Sequence, residues 1–321
     1  MLYLNDADIA AIETDWPRLI DVIRQTVHCM DDGDFAQPIK PYLRYRNPKN
    51  RIIAMPAFVG GSFETAGIKW IASFPDNLGR QLPRAHSVVI LNDADTGVPT
   101  SIINTPRLSV LRTAAVSGLV METASKQRFD KPFSVAILGW GPIGQAHFQM
   151  MTACFGDRLK TIFLHDPKRL HNRPIDSPYL KRVRVTDTWQ EAVVKADVVI
   201  TCTVSDKRYI TRLPKPGSLL LHVSLRDYVP EALSTVRAII VDDWEEVCRE
   251  RTDIELLHRE YGLMKEQTRS VSDIVCRNAM AEWPAGETVL FCPMGLSVFD
   301  IAMGSRYAGL AKERRLGLEL D

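Results

Sequence analysis

Gly139, Gly141 and Gly144 stand in the segment SVAILGWGPIGQAHF at the spacing GxGxxG, directly after an apolar run and directly before a helix-forming one. The first glycine permits a tight turn, and the second lets backbone approach a pyrophosphate. The third lets the following helix pack closely while its amino end faces the phosphates. The next apolar run, TIFLHD, ends in Asp166, at the distance where an acid accepts hydrogen bonds from an adenosine ribose. The same residue, before Pro167, also suits a turn. An acid there repels a 2′-phosphate and favours NAD over NADP, whereas Lys168 and Arg169 just after it pull the other way. Thr201, Cys202 and Thr203, and then His222, Val223, Ser224 and Leu225, follow later apolar runs, at the strand ends where open α/β sheets bind ligands. Trp140, Pro142 and Ile143 of the glycine loop, with Arg112, Thr113, Met294 and Gly295, complete the expected cofactor set.

A second group of residues is cationic. Lys40 and Arg44 are expected on one face of a strand, Arg51 opens the partner strand, Lys69 lies within GIKWIASF, and Arg112 begins RTAAVSG. Singly, such side chains are ordinarily solvated. Together they form a cradle for carboxylates, which arginine grips through two parallel hydrogen bonds. Asp227, in LLLHVSLRDYVPEAL, is read either as the cap of the next helix or as a carboxylate at the nicotinamide, with Arg226 beside it able to neutralise it.

These residues must be held by elements the sequence also predicts. Asp15, Trp16 and Pro17 start a helix carried on by Leu19, Ile20, Ile23 and Val27 and stopped at Gly33. KPYLRYR and NRIIAMPAF read as a hairpin turning at Asn47 to Asn50; GIKWIASF, SVVILND and SIINT read as further strands. TAAVSGLVMETAS has helix-forming character. From about Pro132 to Asp243 the apolar runs SVAILG, TIFLHD, RVRVT, VVITCT, SLLLHVS and AIIVDD alternate with helical segments, among them WQEAVVKA and PEALSTV. That alternation predicts a parallel sheet covered on both faces. Beyond Val247 the chain reads as helix, and GLSVFDIAMGSRYAGLAKERRLG reads as an amphipathic one. The expected fold class is α/β, with a Rossmann-type doubly wound parallel sheet over residues 113–297. The strand-rich part before it forms a second, α+β domain, and Arg112 falls at the junction, where small-molecule clefts commonly form.

Composition removes several classes of function. With 321 residues the chain exceeds one core, and its 40 Lys and Arg against 39 Asp and Glu leave no basic footprint for nucleic acid. Cys29, Cys154, Cys202, Cys248, Cys276 and Cys292 are scattered without CxxC pairs or histidines at zinc spacing, so reduced thiols and no metal site are expected. The opening MLYLNDADIAAIETDW is acidic where a signal peptide is basic, and no apolar stretch reaches bilayer length. A cytoplasmic protein with a small-molecule partner and no membrane contact is expected.

The strings AMPAF, GIKWIASFPDN, VILNDADTGVP, LRTAAVSG, GWGPIG and GLSVFDIA resemble the ornithine cyclodeaminase and μ-crystallin family nearly end to end. Within it, KPYLRYR, NRIIAMPA and KWIASFP combined with SLRDYVPE look like a branch that cleaves an aminocarboxyethyl conjugate of glutamate oxidatively. The resemblance implies hydride transfer from the glutamate α-carbon to NAD and attack of water on the imine. The products would be 2-oxoglutarate and L-2,3-diaminopropionate, a building block for siderophores and peptide antibiotics. It implies that Lys69 is the family's catalytic lysine, its pKa lowered by surrounding cations, and that Asp227 is the active-site aspartate that orients the reacting nitrogen. It further implies that residues 1–112 and 298–321 make up one substrate and dimerisation domain, the C-terminal helix returning to it, and that a homodimer forms through that domain. Which of Lys40 and Arg44 inherits the family's arginine stays open. Arg84, in LPRAHS where relatives usually carry threonine, is read either as a substrate or phosphate ligand or as a surface residue. A cyclodeaminase, an alanine-type dehydrogenase and a non-catalytic ligand-binding protein are the competing readings.

Overall fold

The computed structural model of the chain describes residues 1–167, 175, 177–205 and 207–321, so Lys168 and Arg169 lie outside the described residues. The chain divides into two compact units, Met1–Thr113 with Gly295–Asp321, and Ala114–Met294.

The first unit is built on strands β1 (Leu2–Leu4), β2 (Phe35–Ala36), β3 (Tyr42–Leu43), β4 (Arg51–Val59), β5 (Thr65–Ser73), β6 (Ala85–Asp93) and β7 (Pro99–Asn104). A strand at Leu318–Glu319 starts the sheet order, followed by β1, β7, β6, β5, β4 and β2, with β3 also on β4. β4 to β7 form an antiparallel meander in which Met55, Lys69, Val89 and Ile103 stand opposite one another in one row. These four are buried, as the strand period of two requires of one face. The adjacent row, Ala54, Trp70 and Val88, belongs to the other face, where Trp70 is exposed.

The helix Ser297–Glu313 packs on β4, β5 and β6 and also against the helix Trp16–Asp31. Sandwiched in this way, it buries every residue from Ser297 to Gly304 and is not the amphipathic helix its charged end suggests. Gly304 lets it approach closely, since a Cβ there would stand 3.3 Å from both Leu91 and Val89. The helix Trp16–Asp31 starts as the sequence predicts, with Asp15 accepting from the Arg18 amide. The hairpin strand is shorter than expected. Lys40 precedes it and Arg44 follows it, so they do not share a strand face; Pro41 has no N–H to give to a ladder.

The second unit carries β8 (Phe133–Leu138), β9 (Leu159–His165), β10 (Val183–Val185), β11 (Val198–Thr201), β12 (Leu219–Leu221), β13 (Ala238–Val241), β14 (Thr268–Ser270) and β15 (Val289–Cys292). All pair in parallel, in the order β10, β9, β8, β11, β12, β15, β13, β14. The chain steps outward from β8 on both sides, which is the doubly wound α/β arrangement. β14 and β15 lie where the sequence reads as helix. A four-residue apolar run such as VLFC has no periodicity to distinguish a buried strand from a buried helical turn. β15 nevertheless wedges between β12 and β13 and completes the sheet.

Candidate active site

Each unit carries a group of residues suited to chemistry. In the second unit β8 runs into Gly139, which adopts φ +100°, and a Cβ there would lie 2.7 Å from the Cys202 carbonyl. A Cβ on Gly144 would lie 1.9 Å from the Gly139 carbonyl. Both positions therefore require glycine. The Gly139 amide donates to His165 O at 2.9 Å, and the Trp140 amide donates to Asp166 Oδ2 at 2.7 Å. The helix Pro142–Phe155 then begins at Gly141 with proline in its first turn and no side chain over its amino end. A backbone-lined, uncapped helix start is what a pyrophosphate requires, so these residues fit a dinucleotide. The Trp140 ring packs inward, edge-on to Phe148 at 5.5 Å.

At the ends of the neighbouring strands, Asp227 is buried and accepts from Thr203 Oγ1, 2.7 Å from each carboxylate oxygen, and from Ser224 Oγ at 2.6 Å. The Tyr209 hydroxyl lies 3.5 Å from Oδ2. Burial, and then the charge of Asp227, push the Tyr209 hydroxyl and the Cys202 thiol well up, so both stay protonated at neutral pH. Thr201 and His222 are fully buried, and their side chains bond each other at 2.7 Å. Thr203, Val223 and Ser224 stay partly exposed along the same edge. Leu225 holds φ +64° there. His147, beneath the glycine loop, bonds Ser117 and Ile143 O, and burial lowers it to about 4.

In the first unit Lys69 is 1% exposed and donates from Nζ to Asp300 Oδ2 at 2.5 Å. Arg112 reaches the other oxygen of Asp300 through Nε at 3.0 Å. Lys40, also buried, donates to Gly295 O at 2.7 Å. The Arg112 guanidinium stands so close to Gly295, itself at φ +87°, that a Cβ there would lie 2.7 Å from it. Burial lowers the Lys69 ammonium to about 7; the charge of Asp300 opposes this, and Arg112 and Lys40 add to it. Burial alone would raise Asp300, but Arg112 and then Lys69 outweigh it and hold the carboxyl low.

Of the expected carboxylate cradle, Lys40, Lys69 and Arg112 are buried. Arg44 is exposed and Arg51 partly so, and their guanidinium groups stand 4.9 and 5.7 Å from the centre of the Tyr42 ring. Arg84 is partly buried just before β6. Thr113 turns its hydroxyl back onto Ser109 O, and the Met294 amide donates to Asp242. Sequence reasoning missed Asp300 and Asp253. The signal for Asp300 was present: a lone acid inside the apolar run SVFDIAMG needs a buried cation. Asp253 offered none, because an acid after Thr252 at a helix start reads as ordinary first-turn charge. Among the described residues no group of His, Cys, Asp and Glu could hold a metal ion, and no helix is long and apolar enough to cross a membrane.

Comparison with known proteins agrees with this architecture. The model of the ornithine cyclodeaminase/mu-crystallin family matches residues 5–307. The N-((2S)-2-amino-2-carboxyethyl)-L-glutamate dehydrogenase of Staphylococcus aureus is 33% identical, over 100% of this chain and 98% of that protein. The rat ketimine reductase mu-crystallin is 23% identical over 84% of this chain and 83% of its own. The solved structure of the Thermococcus litoralis Delta(1)-pyrroline-2-carboxylate reductase, in complex with NADH and L-proline, matches with a TM-score of 0.85 at 19% identity, covering 100% of both chains. The chain belongs to the ornithine cyclodeaminase/mu-crystallin family.

Proposed function

We propose that this protein is an NAD-dependent dehydrogenase that oxidises N-((2S)-2-amino-2-carboxyethyl)-L-glutamate and hydrolyses the resulting imine to 2-oxoglutarate and L-2,3-diaminopropionate. The observation that carries this reading is the buried pair of Lys69 and Arg112 on the carboxylate of Asp300, with Lys40 buried on Gly295 O in the same unit. Arg112 is always charged and Lys69 can charge beside the Asp300 carboxylate, a cationic lining that suits an anionic guest, and this substrate brings three carboxylates. Arg112 spends only Nε on Asp300, and its paired Nη groups present the edge that grips a carboxylate. The full-length 33% identity to a dehydrogenase of that name supports the choice of substrate over ornithine or alanine.

Gly139 to Gly144 would hold the pyrophosphate of NAD and Asp166 its ribose, and NAD would supply the two-electron acceptor. Asp227 takes the proton from the substrate's ammonium nitrogen, which frees the lone pair that pushes hydride from the α-carbon. Lys69, neutral above about 7, takes a proton from water as its oxygen adds to the imine carbon. The C–N bond then breaks, the nitrogen leaves protonated, and the carbon becomes the ketone of 2-oxoglutarate. One water and one NAD⁺ are consumed, and NADH and one proton are released.

The enzyme acts in the cytoplasm as a homodimer and feeds siderophore or antibiotic assembly. The row Ala54, Trp70 and Val88, with Trp70 44% exposed among partly exposed apolar neighbours on the same face, supports an interface on the outer face of the first unit. The test is Lys69→Ala. It should keep NAD affinity within a few fold and lower kcat by about 10²–10⁴, the usual weight of a general base; unchanged turnover would remove Lys69 from the mechanism.

A further inference from the structure

Lys40 and Gly295, far apart in the chain, meet beside Arg112 in the first unit. Lys40 is 3% exposed and donates from Nζ to Gly295 O at 2.7 Å. Gly295 in turn faces the Arg112 guanidinium. A Cβ there would stand 2.7 Å from Nη1, 2.8 Å from Nη2 and 3.2 Å from Cζ. Nearly equal distances to the two nitrogens, and a longer one to the carbon, put that point on the axis of the guanidinium fork, in front of its paired N–H groups. Arg112 is held in this direction, because its Nε is tied to Asp300 Oδ1 at 3.0 Å and Lys69 fixes the other oxygen of Asp300.

These distances decide which residue position 295 admits. A carboxylate gripped by both Nη groups brings its oxygens to about 2.7–2.9 Å from them. The Cβ of any other residue would stand at that same distance from both nitrogens. A side chain at 295 and a carboxylate in the fork therefore exclude each other. Gly295 also holds φ +87°, which glycine adopts freely. Backbone conformation alone would account for a glycine here, but it leaves the buried lysine on its carbonyl unexplained. Placing an amine in the interior is a costly way to fasten a turn, unless the place of that turn matters to something beside it.

We infer that Lys40 is a positioning residue for Arg112. By holding the Gly295 carbonyl it keeps a stretch of backbone without a side chain in front of the fork, and it acts on a bound carboxylate through Gly295, without touching it. This rests on the reading of Arg112 as a carboxylate ligand. It divides the expected cradle by role: Arg112 grips, Asp300 aims Arg112, and Lys40 sets the wall that the guest meets.

The experiment is a double-mutant cycle on carboxylate binding. The probe is 2-oxoglutarate, titrated calorimetrically into the full-length protein saturated with NADH. The variants are Lys40→Met, which keeps the length of the side chain without its amine, Arg112→Gln, and the two together. Arg112→Gln should raise Kd about tenfold or more, as the loss of a charged hydrogen-bonded pair does. Lys40→Met should raise it about threefold or more in the parent chain, and by less than about twofold in the Arg112→Gln background, where no fork is left to position. A lysine that touched the carboxylate itself would weaken binding by the same factor in both backgrounds. Equal factors would overturn the inference, as would Lys40→Met binding like the parent. Gly295→Ala provides an independent arm, since its backbone strain is present in either background. It should weaken 2-oxoglutarate only where Arg112 is retained, and an equal loss in the Arg112→Gln chain would contradict the assignment. A parent chain that does not bind 2-oxoglutarate loses the proposed reaction together with this inference, whereas one that binds it and shows equal factors loses the inference alone.

Discussion

The chemistry at the scale of single residues turns on Lys69, whose neighbours shift it in opposite directions. Asp300 raises its pKa, while burial, Arg112 and Lys40 lower it to about 7. As a base, Lys69 acts unprotonated, so the proposed hydrolysis should quicken as pH rises through about 7. Asp300→Asn removes the opposing charge, and the limb of the pH profile should move to lower pH even as activity falls. Arg112→Gln should move it to higher pH. Profiles of kcat for the two variants check both signs, and shifts in one common direction would show that another group sets the limb. The same residue contributes to stability. Its folded pKa lies below the 10.5 of the unfolded lysine, so between those values the unfolded chain binds more protons. Its contribution to stability should rise as pH climbs from about 7 to 10.5 and stay flat below 7, which urea unfolding of the parent and Lys69→Met at several pH values would reveal.

At the scale of elements, the glycine loop and the C-terminal helix bear the most weight. Gly144→Ala sets a Cβ 1.9 Å from the Gly139 carbonyl, so the loop must open. The cost is on the order of 1–3 kcal/mol, as for other overpacked sites. NAD titration should show binding weakened by about tenfold or more, since each 1.4 kcal/mol is tenfold; undiminished affinity would place the dinucleotide elsewhere. Phe299→Ala, in the middle of the buried helix, should cost about 3–5 kcal/mol in denaturant unfolding. The glycine loop was legible because its three glycines, apolar strand and helix start are contiguous in the chain. The long strands were legible too, through the alternation of β4 and β6. β15 was not, because four apolar residues carry no period. The hydrogen-bonded group of Thr201, His222, Ser224, Asp227 and Asp253 was not either, because these residues meet only when separate chain segments align. Lys40 and Arg44 were misplaced because the alternating pattern KPYLRYR gives no weight to the N–H that Pro41 lacks.

For the whole molecule, the buried Lys69, Arg112 and Asp300 lie in one compact unit and the glycine loop in the other, and the chain's near-neutral charge suits a small-molecule enzyme. The outer sheet face of the first unit should be covered by a second copy. Trp70→Glu should therefore convert a dimer to a monomer in sedimentation, and a monomeric parent chain would remove the interface. The central claim is the reaction, and its most direct measurement is a product balance. Incubated with NAD and the aminocarboxyethyl conjugate of L-glutamate, the protein should release NADH, 2-oxoglutarate and L-2,3-diaminopropionate in equimolar amounts. Conversion of ornithine to proline without net NADH, or NADH with no 2-oxoglutarate, would contradict the account.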